Sequence, residues 1–175
     1  MVEIKLDVAV NASLAWLPQE TILFDRAMLS RRIEVDLAQD AALLMAEAIV
    51  FGRSGMGEAV EAGCLIDRWR VRRAGRLMFA EAVRLEGAIS EKLGAPAVAR
   101  GGVAIATVLI VPGDDAIVAK LRALAGGFCG EVGISAWNGF AVARFCAENG
   151  ARLRHDLVAV LTALRGGALP RLWVN

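Results

Sequence analysis

The sequence predicts a mainly β domain of the α+β class. Three observations carry this. Apolar residues alternate with charged ones at period two through most of the first half. Leucines at helical spacing occur only in the second half, where they stop at paired glycines. No regular strand–helix–strand alternation runs along the chain, so a parallel sheet wound with helices is excluded.

The elements follow in order. Val2, Ile4, Leu6, Val8 and Val10 alternate with Glu3, Lys5 and Asp7, giving a strand with one buried face. Asn11-Ala12 is a turn. The run from Trp16 to Asp25 is a strand broken and re-aimed: Pro18 has no N–H for a ladder and marks an edge, bulge or corner. Trp16 and Phe24 are expected to be buried on its flanks. Ile33, Val35 and Leu37 alternate with Arg32, Glu34 and Asp36. Ala42 to Phe51 is more continuously apolar and reads as a strand buried on both faces. Cys64–Arg73 and Arg76–Leu85 form a hairpin turned at Ala74-Gly75, with Trp69, Val71, Leu77 and Phe79 as core candidates. Val103 to Val111 is another strand, ended by Pro112-Gly113.

In the second half, Asp114 caps a helix over Asp115 to Ala125, with Ile117, Leu121 and Leu124 on one face. Phe128 to Phe145 reads as strands around Trp137-Asn138-Gly139. A last helix runs from Arg152 to Arg165, with Leu153, Leu157, Leu161 and Leu164 in a stripe and Gly166-Gly167 stopping it.

Composition limits the function. The chain has 175 residues, is 57% hydrophobic and carries a net charge of +1. That charge provides no general attraction for nucleic acid or anionic membrane. The local basic cluster Arg68, Arg70, Arg72, Arg73 and Arg76 reads as the solvated face of the hairpin. Mean hydropathy is high, at +0.51, yet the longest uncharged run, Gly101 to Gly113, is 13 residues, short of the roughly 20 a spanning helix needs. Met1 to Asp7 alternates charge with aliphatic residues, unlike a signal peptide, so a cytoplasmic protein with partner-covered apolar surface is expected.

Catalytic and metal motifs are weak. Gly52 and Gly57 have phosphate-loop spacing, but Glu58-Ala59 stands where lysine and serine or threonine are required. The Gly52–Glu58 segment is therefore expected to be an exposed tight turn with a glycine at positive φ. Cys64, Cys129 and Cys146 are widely separated, His155 is the only histidine, and Asp114-Asp115, Glu20 and Asp25 read as cap and turn residues. The expectation is no catalytic residue, no metal ligand set and no tight cofactor. A thiol-dependent hydrolase using one of the cysteines is the alternative, and a membrane-surface protein a weaker third.

Several segments in this order resemble the urease accessory protein UreD (UreH) family. They are the Trp16–Phe24 run, with Pro18, Gln19 and Glu20; Leu43–Glu47; Phe51-Gly52-Arg53 and Gly57-Glu58; Trp69–Leu77, with Arg73 and Gly75; Ala80–Leu85; and Leu169-Pro170-Arg171-Leu172-Trp173. The likeness covers essentially the whole chain. The family's usual N-terminal segment has no counterpart, so the resemblance reads residues 1–175 as one domain shortened at its N-terminus. It implies a two-layered, β-helix-like stack with about two helices in the C-terminal half. It further implies a non-enzymatic chaperone that binds apo-urease, recruits UreF and through it the GTPase UreG, and handles nickel only in transit, by way of an internal passage.

Overall fold

The computed structural model describes residues 1–53 and 57–173. The strands are β1 (Val2–Val8), β2 (Ser13–Trp16), β3 (Thr21–Leu23), β4 (Met28–Leu37), β5 (Ala42–Phe51), β6 (Ala62–Arg73), β7 (Arg76–Ala88), β8 (Ala104–Val111), β9 (Glu131–Trp137) and β10 (Phe140–Ala147). The helices are α1 (Ile89–Gly94), α2 (Asp115–Arg122) and α3 (Gly150–Arg165). Helix α1 was not expected from the sequence, because six residues are too few to display a helical period.

One sheet has the order β1-β4-β6-β7; the other has β2-β5-β8-β10-β9, with β3 also on β5. The chain passes between the sheets on each successive lap. β1, β4 and β6 lie parallel in the first sheet, and β2 and β3 lie parallel to β5 in the second. That winding is the expected two-layered stack. Hairpins and antiparallel strands complete it: β6 pairs with β7, and β8 lies between β5 and β10.

β5 explains the layering. Leu43, Met45, Ile49 and Phe51 pack between the two sheets, whereas Ala46, Ala48 and Val50 pack on the other side of the second sheet, in the cluster that also holds Val118, Leu121, Leu153, Leu157 and Leu161 of the helices. A strand covered on both faces reads as a continuous apolar run. The expected cap at Asp114 and stop at Gly166 are present, and Asn149, which the sequence reading did not name, caps α3. Asp114 accepts from the Ile117 N–H at 3.0 Å and Asn149 from the Arg152 N–H at 3.0 Å, while Gly166 closes α3 at φ 65°. α2 stops at Arg122, and its continuation to Gly127 is a separate 3₁₀ turn.

Some burial expectations fail. Leu77 is exposed because a bulge between Val71 and Arg72 shifts the hairpin register. Val10 lies beyond β1, and Val2 is exposed at its start. Phe24 is 48% exposed and Trp16 half-buried, because both lie at breaks in the strand instead of inside it.

Candidate functional site: a charged layer between the sheets

β2 and β3 are one interrupted strand. Trp16 pairs with Met45 and Thr21 with Ile49 on the same neighbour. Four residues, 17–20, therefore stand opposite three, 46–48, and Pro18 sits in the excess. The break brings the Trp16 indole to Glu47, to which its Nε1 donates at 2.7 Å.

Glu47 belongs to a layer of charge between two apolar clusters. Arg31 on β4 donates from Nη1 to Glu47 on β5 at 2.5 Å, and from Nε and Nη2 to both oxygens of Asp67 on β6 at 3.0 and 2.6 Å. Trp69 Nε1 adds a bond to Asp67 at 3.2 Å. Arg31, Glu47 and Asp67 are all buried. Loss of water pushes the Glu47 carboxyl above its ordinary value against the pull of Arg31. Burial acts against the charged Arg31 guanidinium, but its bidentate bonds to Asp67 and its bond to Glu47 hold it above its ordinary value.

The layer continues along the strand register. Glu47 pairs with Thr107 of β8, and Thr107 with Arg144 of β10. Glu81 of β7 receives the Thr107 hydroxyl and Arg144 Nη2, each at 2.7 Å. All six side chains line a cavity of about 770 Å³ between the sheets, together with Cys146 and Glu131.

The motif residues form three other clusters. At one end, Trp16–Glu20 meets the C-terminal segment. Gln19 Nε2 donates to the Leu172 carbonyl at 2.7 Å, and Trp173 Nε1 to the Leu17 carbonyl at 2.9 Å. Arg154 of α3 ties both sides, donating to Glu20 at 3.0 and 3.1 Å and to the Leu172 carbonyl at 2.6 Å, with its guanidinium 5.3 Å from the Trp173 ring centre. Pro170 starts the turn, its carbonyl accepting from the Trp173 N–H, and Arg171 is exposed.

A second cluster joins Phe24 to the glycine-rich segment. The Arg53 guanidinium lies 4.7 Å from the Phe24 ring centre and Nε donates to Glu58 at 2.7 Å, which holds the Glu58 carboxyl below its ordinary value. Gly52 and Gly57 have positive φ, as expected, and a Cβ on Gly52 would meet the Glu58 carbonyl at 2.3 Å. Unlike the expected exposed turn, Gly52 itself is buried; residues 54–56 lie outside the described residues. The third cluster is the β6–β7 turn, where Ala74 and Gly75 both have positive φ. Arg68, Arg70 and Arg76 face solvent as expected, but Arg73 folds back so that Nη2 donates to the Ala41 carbonyl at 3.1 Å.

The cysteines separate. Burial pushes the thiols of Cys64 and Cys146 up, away from reactivity, with Glu86 and Glu131 respectively adding to the shift. Cys129 is exposed, and the fold brings it beside His155 and Asp156, residues the sequence leaves far apart.

The UreD urease accessory protein family model matches residues 1–174. The chain belongs to that family. It is 62% identical over 173 residues to the urease accessory protein UreD of Rhodopseudomonas palustris (strain BisA53), across 99% of this chain and 60% of that protein. With the UreD of Bradyrhizobium diazoefficiens it shares 59% identity over 172 residues, across 98% of this chain and 62% of the relative. The chain thus spans about 60% of the length of the curated relatives it matches. Among the described residues, no helix is long and apolar enough to cross a membrane.

The sequence reading missed the charged layer, although its signal was present. Arg31, Asp67, Glu81 and Thr107 occupy the inward parity of strands whose other inward positions are Ile33, Val35, Leu65, Trp69, Phe79, Leu109 and their like. A charged or polar side chain on the buried parity of a strand requires a partner, and these four strands each carry one at neighbouring register.

Proposed function

We propose that this UreD-family chain is a non-enzymatic assembly factor for urease in the cytoplasm, one domain over residues 1–175. It binds apo-urease subunits and UreF, and through UreF the GTPase UreG, so that nickel reaches the urease active site as cargo. Family membership and the names of the relatives support the accessory role.

The observation that carries the metal-handling part is the cavity between the sheets. Its wall presents the carboxylates of Glu47, Asp67, Glu81 and Glu131 against the guanidiniums of Arg31 and Arg144, four negative groups to two positive. Glu47, Asp67 and Glu81 already accept bonds from arginine, tryptophan or threonine donors. A divalent cation is attracted by the excess charge, yet it must displace a donor to bind closely. Such a wall passes a cation on and does not store it. The raised thiols of Cys64 and Cys146 weigh against the thiol-hydrolase alternative at those positions.

Co-expression with urease subunits and UreF tests the reading. The chain is expected to co-purify with them and to support nickel-dependent urease activation. The double variant Glu81→Gln, Glu131→Gln, which leaves the buried Arg31 group intact, is expected to stay in the complex while activation falls. Failure to bind either apo-urease or UreF would sink the assembly role, and full activation by the double variant would sink the route through the cavity.

A further inference from the structure

Cys129, His155 and Asp156 lie outside the inter-sheet cavity, where the loop before β9 meets helix α3. Sγ, an imidazole nitrogen and a carboxylate oxygen are all within 4.8 Å of one another. We propose that these three side chains form a surface site for a late first-row divalent cation of the zinc and nickel class, completed by water or a ligand from outside.

The donor set selects the ion. Thiolate and imidazole favour zinc, nickel and cobalt, whereas magnesium and calcium require a shell of oxygens. The backbone is prepared for the purpose. Asp156 is 1% exposed, and its two oxygens accept the consecutive N–H groups of Cys129 and Gly130 at 2.8 and 2.9 Å. Each oxygen keeps a free lone pair beyond those bonds, and the N–H groups orient the carboxylate as supporting contacts do around bound metals. Gly130 is held from the other side: a Cβ there would meet the Cys146 carbonyl at 2.6 Å, so the loop cannot accept a side chain at that point. The loop carrying Cys129 is therefore clamped to both α3 and β10.

The remaining adjustment is small. Bonds of about 2.0–2.3 Å to one ion place ligand atoms closer together than the present spread. Cys129 and His155 are both exposed and can close it by rotating about their side-chain bonds. Three protein ligands on the surface leave coordination positions open, as in exchangeable sites and unlike closed structural zinc sites. The inference rests on these residues alone and not on the urease reading.

Titration of the full chain with Ni²⁺ and Co²⁺ in the absence of partners tests it, by the near-ultraviolet charge-transfer absorption of a metal–thiolate bond. The band is expected to saturate at one equivalent and to be absent in Cys129→Ser. It should persist in Cys64→Ser and Cys146→Ser. Binding by His155→Gln should be weaker by roughly tenfold or more, since loss of even a supporting contact costs that much. Because Cys129 and His155 are exposed, both variants should melt like the parent chain, which separates loss of the site from loss of the fold. No band in the parent chain, a band that survives Cys129→Ser, or unchanged affinity in His155→Gln overturns the proposal. None of those results bears on whether the chain binds urease or UreF.

Discussion

Arg31 and Arg154 are used alike and situated differently. Each is an arginine held by carboxylate beside a tryptophan: Arg31 between Glu47 and Asp67, with Trp16 and Trp69 bonded to those carboxylates, and Arg154 between Glu20 and the ring of Trp173. The side chains of Arg31, Glu47 and Asp67 are 6%, 3% and 5% exposed; those of Arg154 and Glu20 are 25% and 15%. Water replaces a lost partner more readily at the second place than at the first. The interior group must therefore be complete to be tolerated, whereas the outer one can lose a member at modest cost.

The largest expected effect follows from this. Asp67→Ala leaves Arg31 buried with half its partners and is expected to cost about 3–5 kcal/mol in urea unfolding. A loss below about 1 kcal/mol would mean that water reaches Arg31 through the cavity, and the contrast with Arg154 would collapse.

At the outer cluster the buried ring should matter more than the charge. Trp173 is 2% exposed and packs in the core under α3, so Trp173→Ala is expected to cost about 3 kcal/mol. Arg154→Ala should cost nearer 1 kcal/mol, and Glu20→Gln less, because both groups are partly hydrated. Equal losses from Trp173→Ala and Glu20→Gln would show that the ion pair, not the ring, closes this end.

The subtlest difference is in pH dependence. Burial holds the Glu47 carboxyl above its ordinary 4.5, so the folded chain binds that proton more tightly than the unfolded chain. Its contribution is fullest below pH 4.5 and declines as pH rises through the higher folded value. The stability of the parent chain minus that of Glu47→Gln should therefore fall from pH 4.5 towards neutrality. Glu20→Gln serves as the outer comparison. A Glu47 difference that rises with pH would show that Arg31 outweighs burial at this site.

Legibility in the sequence followed the range of the interactions. The β6–β7 turn, the β9–β10 turn at Asn138-Gly139, the cap at Asp114 and the stop at Gly166 depend on residues within a few positions of one another. Ile33, Val35 and Leu37 showed a buried face because alternation is a property of the strand itself. Leu77 was misassigned because a bulge is decided by the pairing of two strands, which neither strand reveals alone. Phe24 misled for a similar reason: an aromatic at the end of an apolar run looks like core, but it lies just past the end of β3, before the turn into β4, and is exposed beside Arg53.

The sequence by itself determined where most strands and the helices α2 and α3 lie, that the class is α+β, and which family the chain resembles. Those conclusions rest on local periodicity, on turn and cap chemistry, and on the order of short segments. Only the tertiary structure decided that Arg31 meets Glu47 and Asp67, that Trp16–Glu20 receives Leu172 and Trp173, and that Cys129 stands beside His155. Those partners lie between 16 and 156 residues apart where the bonds are direct. Their meeting depends on how the sheets stack and where the helices land, and the physical reason is common to all three: packing of apolar faces sets the register, and the polar groups take the partners that register leaves within reach.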